Sequence, residues 1–168
     1  MIEAHTSAHL FKGRTVEAVI TDVDGCLTDG TVGFTTDGES FRMFHTHDGL
    51  GTQLLAEAGV QVAWLTAGSR SESILARAQT IGVQHVDVGR DDKGARFIAL
   101  CARMGVDPAS TVYMGDDLKD LSAMEHAAIS VCPSDAVAQV RSEVDLVLNT
   151  RGGRGAFREL ADLILYSR

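Results

Sequence analysis

Asp22 and Asp24, separated by Val23 and followed by Gly25-Cys26-Leu27-Thr28, are the residues of this chain best placed to do chemistry. They come straight after an apolar run at 16–21 (VEAVIT) that reads as a buried strand bounded by a turn. Two carboxylates at that spacing, just past a parallel strand, point into the crevice where open α/β sheets bind ligands. Their mutual repulsion must be relieved by a cation or by protonation of one of them. A phosphoryl-transfer site needs that set: an ionised carboxylate to attack phosphorus, a protonated one to serve the leaving oxygen, and a metal. Alone, Asp-x-Asp is weak, arising by chance about once in a few chains of this size.

The elements that must position the pair alternate between strand and helix. An Asp37-Gly38 turn between 31–34 and 40–44 reads as a β-hairpin projecting from the sheet. Helices are expected over 49–58, 71–81, 93–104, 118–127, 135–141 and 156–165, with strands over 60–66, 83–88, 111–114, 128–131 and 145–148. In the third of these helices Phe97, Leu100, Cys101 and Met104 recur at helical spacing, with Gly105 behind them. Such alternation requires a doubly wound α/β fold, a mostly parallel sheet with helices on both faces.

Composition narrows the class. A chain of 168 residues with 45% apolar residues makes one domain with a substantial core, here 15–168, behind a polar N-terminal arm over 1–14. The arm lacks the basic start and apolar middle of a signal peptide, and no apolar run could span a bilayer, so no membrane partner and a cytoplasmic location are expected. With 15 basic and 23 acidic residues the net charge is −8, which argues against nucleic acid as a partner. A small anion is different, because a metal, one lysine and backbone N–H groups can hold it. Cys26, Cys101 and Cys132 show no Cys-x-x-Cys spacing and indicate neither zinc nor a disulfide framework.

Other strand ends carry matching residues. Thr66 ends the second core strand, and its hydroxyl could orient a phosphoryl oxygen. Lys93 opens the amphipathic helix and could reach the same point. Asp116 and Asp117 follow the strand at 111–114, with Asp120 one turn on. Mg²⁺ favours one or two carboxylates plus water and substrate phosphate, which this set supplies. Thr66 is equally consistent with a capping hydroxyl, Lys93 with a solvent-facing helix residue, and Asp120 with a surface charge or a supporting partner. His45 and His47 are expected to alternate on a strand end, either exposed or in contact with a ligand, and Arg70 and Arg77 could pair with surface acids as easily as with substrate.

The order Asp22-Val23-Asp24, Thr66, Lys93 and Gly115-Asp116-Asp117-Leu118-Lys119-Asp120 resembles the haloacid dehalogenase superfamily of phosphotransferases, with its Rossmann-like fold. The resemblance implies Asp22 as a nucleophile forming an aspartyl phosphate and Asp24 as general acid then base. Thr66 and Lys93 would hold the phosphoryl group, and Mg²⁺ would sit on Asp22, the Asp24 carbonyl and Asp116, with Asp117 in support. Closer in, Asp22 to Gly30, Asp48-Gly49-Leu50-Gly51 and Gly152-Gly153-Arg154-Gly155-Ala156-Phe157-Arg158-Glu159 look like the 3-deoxy-D-manno-octulosonate 8-phosphate phosphatases. Their relatives include phosphatases of nine-carbon 2-keto-3-deoxy sugar acids. That implies a sugar acid phosphate as substrate and a homotetramer whose neighbouring subunits complete each site, with Arg151 and Arg154 meeting the substrate carboxylate across the interface.

Two segments depart from that pattern. His47-Asp48-Gly49 stands where those enzymes have Arg-Asp-Gly, and Thr66-Ala67-Gly68-Ser69-Arg70-Ser71 is one residue longer than their Thr-Gly-Arg. Both segments contact substrate in that family, so His47, Asp48, Gly49 and Arg70 are candidate substrate contacts, as is Arg77. Histidine cannot reproduce an arginine fork on a carboxylate, which leaves the substrate open. The intervals between motifs hold only the hairpin, single helices and a strand, so no cap domain fits. Another small phosphomonoester as substrate, or a non-catalytic oligomerisation module of the same fold, are the competing readings.

Overall fold

The computed structural model describes residues 9–68 and 72–167. Six strands form one parallel sheet: β1 (Ala18–Thr21), β4 (Gln61–Thr66), β5 (His85–Val88), β6 (Thr111–Met114), β7 (Ile129–Cys132) and β8 (Leu146–Val147), in the order β5-β4-β1-β6-β7-β8. The chain steps outward from β1 to β4 and β5, then crosses back to β6 on the other side. The connections therefore diverge at β1, which opens a crevice at its C-terminal end. A separate antiparallel hairpin joins β2 (Gly33–Phe34) to β3 (Ser40–Phe41).

Because strand side chains alternate, each strand feeds two cores. Val19, Trp64, Met114 and Val131 face α1 (Thr46–Glu57), α2 (Glu72–Ile81) and α6 (Ala156–Tyr166) through Leu55, Ile74, Phe157, Leu160 and Ile164. Ala18, Ile20, Leu65 and Tyr113 face α3 (Lys93–Met104), α4 (Leu121–Met124) and α5 (Ala138–Glu143) through Phe97, Leu100, Ala123 and Val140. The sheet covered on both faces, the hairpin flap and the lack of room for a cap match the sequence expectation. The three cysteines are buried free thiols. Among the described residues no helix is long and apolar enough to cross a membrane.

Several boundaries differ for identifiable reasons. Leu10 and Phe11, inside the segment expected to be a polar arm, pack on the core, with Phe11 fully buried. The hairpin strands are shorter than expected. Helix α1 begins at Thr46, not at 49, because His45 caps it: Nδ1 accepts from the His47 N–H at 3.2 Å. His45 and His47 therefore lie at a helix start and not on a strand end, their rings edge to face. The helix expected over 118–127 splits into a 3₁₀ turn, Leu118–Asp120, and the short α4, because the Asp120 carboxylate is drawn back to the N–H groups of Asp116 and Asp117. Residues 135–137, expected to be helical, do other work: the Asp135 carboxylate accepts from Gly152 N–H, and Val137 N–H donates to the Asp116 carbonyl.

Asp48 ties α1 to α6. It is buried, its Oδ1 accepts from the Arg158 N–H at 2.9 Å, and burial pushes its carboxyl above the usual range. It caps the start of α6 from a distant segment, a structural task besides the substrate contact expected of it. We predict that Asp48→Ala lowers unfolding free energy by about 1–3 kcal/mol, the cost of orphaning a buried donor. Asp48→Asn, which keeps the acceptor, stays within about 1 kcal/mol of the parent; urea titration of both variants checks this.

Candidate active site

Three strand ends and one helix start deliver the chemistry to the crevice. Asp22 follows β1 directly, and its N–H donates to the Met114 carbonyl at 2.8 Å, which locks the exit of β1 to that of β6. Thr66 closes β4 and is buried, with its Oγ1 accepting from the Gly68 N–H at 3.1 Å. Lys93 is the first residue of α3, whose start is fixed by Asp92 accepting from the Ala95 N–H. Its ammonium lies 3.0 Å from Asp22 Oδ2 and 2.6 Å from Asp120 Oδ1, with only 4% of the side chain exposed. Asp116 reaches in from the loop after β6.

Arg96, one turn along α3, secures the same rim. Its guanidinium donates to the carbonyls of Thr66 (2.9 Å), Asp87 (3.0 Å) and Gly89 (2.7 Å) and pairs with the Asp87 carboxylate. One helix therefore supplies the buried lysine and fixes the ends of the two strands beside it.

Carboxylate oxygens of Asp22, Asp116 and Asp120 lie within 4.8 Å of one another. Asp120 is the organiser of the three. Its Oδ1 accepts from Lys93 Nζ and Tyr113 Oη, and its Oδ2 from the N–H groups of Asp116 and Asp117. Four donors fill its four acceptor positions, so it has none left for a metal. Asp22 Oδ1, by contrast, is buried and makes no hydrogen bond of good geometry among the described residues. Gly25, at φ +89°, lies so close to Asp116 that a side chain there would run into the carboxylate.

Three acids around one lysine leave uncompensated negative charge. Burial pushes Asp22 up to about 7, the Asp120 charge adding to the effect and Lys93 opposing it. Burial likewise pushes Asp116 up to about 8, reinforced by Asp22 and Asp120. Burial works against the charge on Lys93, yet the carboxylates beside it hold its ammonium above the usual range. A divalent cation held by Asp22 and Asp116 would relieve the conflict and give the orphaned Asp22 oxygen a partner; all-oxygen donors suit a hard cation. Asp24 directs its carboxylate elsewhere, so only its main chain is available to such an ion. Asp117, expected in support of the metal, is exposed and caps the 3₁₀ turn by accepting from the Leu118 N–H.

The open cleft over this cluster measures about 570 Å³ and is lined by Asp22, Asp24, Thr66, Ala67 and Gly68 on one side and by the hairpin's Val32, Phe34, Ser40 and Arg42 on the other. Arg42 joins this lining although its sequence context marks it as no site residue. It grips Asp24 with both arms, Nε to Oδ1 at 2.6 Å and one terminal nitrogen to Oδ2 at 3.0 Å. The alternation of Ser40 and Arg42 with Phe41 and Met43 hints that the polar pair shares a side of the hairpin arm, but not that this side faces Asp24.

The other expected contacts fall outside this cleft. His45, Asp48, Gly49 and Arg77 line a small separate cavity beside Trp64, and His47 lies at the start of α1. Arg151 pairs with Asp135 at 3.1 Å and Arg154 with Asp29 at 3.3 Å, both largely exposed. Arg70, with positions 69 and 71, lies outside the described residues.

Residues 74–160 match the family of haloacid dehalogenase-like hydrolases. The 3-deoxy-D-manno-octulosonate 8-phosphate phosphatase of Haemophilus influenzae is 40% identical over 157 residues, covering 94% of this chain and 87% of the relative. The chain belongs to the haloacid dehalogenase-like hydrolases. Within that family its relatives are phosphatases. The Salmonella typhi octulosonate phosphatase is 33% identical over 96% of this chain and 86% of its own length. The cobalt-bound structure of the Haemophilus influenzae enzyme superposes with a TM-score of 0.87 at 39% identity, covering 91% of this chain and 89% of that one. A Moraxella catarrhalis enzyme in complex with magnesium, phosphate and KDO superposes at 0.88 with 32% identity, covering 100% of this chain and 93% of that one. This member of the hydrolase family is thus a phosphatase whose acidic cluster fits the divalent metal its relatives bind.

The raised carboxyls make a stability prediction for the metal-free protein. The folded chain holds the protons on Asp22 and Asp116 more tightly than the unfolded one, whose carboxyls titrate near 3.8. Their contribution is complete in acid, shrinks as pH rises and is gone above about 8. With a chelator present, the melting temperature of the parent relative to Asp116→Asn should therefore fall between pH 4 and pH 8 or so, and saturating Mg²⁺ should remove that fall.

Proposed function

We propose that this phosphatase is a Mg²⁺-dependent phosphomonoesterase acting on a phosphorylated 2-keto-3-deoxy sugar acid, 3-deoxy-D-manno-octulosonate 8-phosphate or a nonulosonate 9-phosphate. The convergence of Asp22, Lys93 and Asp116 at one rim carries the reading, in a chain that aligns along nearly its whole length with octulosonate phosphatases.

Asp22 is the nucleophile. Its carboxylate attacks phosphorus, the ester bond breaks, and Asp24 gives a proton to the departing sugar oxygen. Water then attacks the aspartyl phosphate while Asp24 takes its proton, so a difficult displacement becomes two easier ones. Lys93 stays beside Asp22 throughout and offsets the charge on the phosphoryl oxygens, and the Thr66 hydroxyl orients them. Mg²⁺, held by Asp22, Asp116 and the Asp24 carbonyl, would neutralise phosphoryl charge when bound.

The exposed apolar hairpin supports a homotetramer. Phe41 and Met43, which do not line the cleft, are exposed in the single chain by 47% and 78%, and Val32 and Phe34, at the cleft wall, are exposed as well. Apolar side chains gathered on one flap mark a protein interface. A neighbouring subunit there would also bring a tail bearing Arg151 and Arg154 toward a cleft that lacks a cap of its own.

Two measurements test the reading. Asp22→Asn should lower kcat by about 10⁴-fold or more, as loss of a covalent nucleophile does, with Mg²⁺ stabilisation weakened; retained turnover rejects the assignment. Second-order rate constants for eight- and nine-carbon keto-acid phosphates, run in parallel with simple sugar phosphates, decide the substrate. Preference for a phosphate lacking the carboxylate would instead favour another small phosphomonoester.

A further inference from the structure

Arg42 is the one cation the hairpin contributes to the cleft wall among the described residues. Only 3% of its side chain is exposed, and its guanidinium lies against Gly68, near enough that a side chain at that position would touch it. Both Asp24 oxygens accept from it, in the parallel fork that only arginine makes. Beside it in the cleft lining, the buried Ser40 Oγ has no hydrogen-bond partner among the described residues. The hairpin thus reaches the reacting groups through this contact as well as forming a wall.

We infer that Arg42 is a positioning residue for Asp24 in the second half of the reaction, the hydrolysis of the aspartyl phosphate. The inference rests on the covalent reading of Asp22. In that step the water oxygen bonds to phosphorus, and the bond from phosphorus to the Asp22 oxygen breaks with its electron pair returning to the carboxylate. The water's proton passes to Asp24, and inorganic phosphate leaves. Asp24 must therefore present an accepting oxygen at a fixed place for an unbound water, with no tether to a substrate to align it. A carboxylate gripped through both oxygens is held in direction by two hydrogen bonds and is set to accept, not to donate. The first half makes a different demand: Asp24 must hand a proton over, which the fork does not assist. Arg42 therefore acts on phosphoenzyme breakdown more than on its formation.

Rapid-mixing kinetics with p-nitrophenyl phosphate and the Mg²⁺-loaded enzyme separate the two halves, because nitrophenolate leaves without needing a proton. In Arg42→Ala the burst of nitrophenolate should approach one per active site at a rate close to that of the parent. The steady-state rate should fall by about 10- to 100-fold, part of what a positioned general base contributes, and KM should fall with it. Arg42→Lys keeps the charge and most of the stem packing but not the fork, and should recover only part of the loss.

A burst slowed as much as the steady state in both variants would mean that Arg42 merely holds the hairpin in place, and would overturn the inference. So would an unchanged steady-state rate. Failure of the covalent reading looks different: acid-quenched parent enzyme, like the variants, would then carry no phosphate at all.

Discussion

Everything at the rim depends on one buried contact, the Lys93 ammonium between Asp120 and Asp22. Removing Lys93 would leave these buried carboxylates facing each other with no cation between them, a loss of about 3–5 kcal/mol. Asp120 makes the arrangement rigid, since its remaining acceptor positions hold Tyr113 and the backbone of the loop that carries Asp116. Strand β6, the loop after it, helix α3 and Asp22 are thus tied through the Asp120 carboxylate. The same carboxylate adds to the negative field on Asp22 and Asp116 and so creates the demand for a cation.

The sheet explains why so few residues suffice. Parallel strands all end at the same rim, so one residue at each of three strand ends and one at a helix start converge without long loops. What the sheet cannot supply is a lid. The cleft is walled on its far side by a two-stranded flap on which Phe41 and Met43 are apolar and exposed.

Much of this was legible in the chain. Buried strands announced themselves as short apolar runs, and α3 has the boundaries its residues predict because Asp92 and Gly105 are strong start and stop signals. Illegible features depended on contacts between distant segments or on an uncommon use of a residue. Histidine is a rare helix cap, so α1 was placed three residues too late. Asp120 reads as a surface charge on a helical pattern until the loop folds back on it. Asp48 sits in a motif that suggests substrate contact, and only the docking of α6 shows its structural task. Arg42 acquires its meaning when the hairpin turns over the cleft, which no local pattern encodes.

The glycine-rich tail meets the turn that bears Asp24. Gly153 N–H donates to the Cys26 carbonyl at 2.9 Å, and a Cβ on Gly152 would collide with the Gly25 carbonyl. The floor beneath that early turn is therefore built from residues translated more than a hundred positions later. During synthesis Asp22 and Asp24 leave the ribosome early, but the turn that bears them lacks this footing until Gly152 and Gly153 follow. A nascent or truncated chain carries the acids without the footing that aligns them.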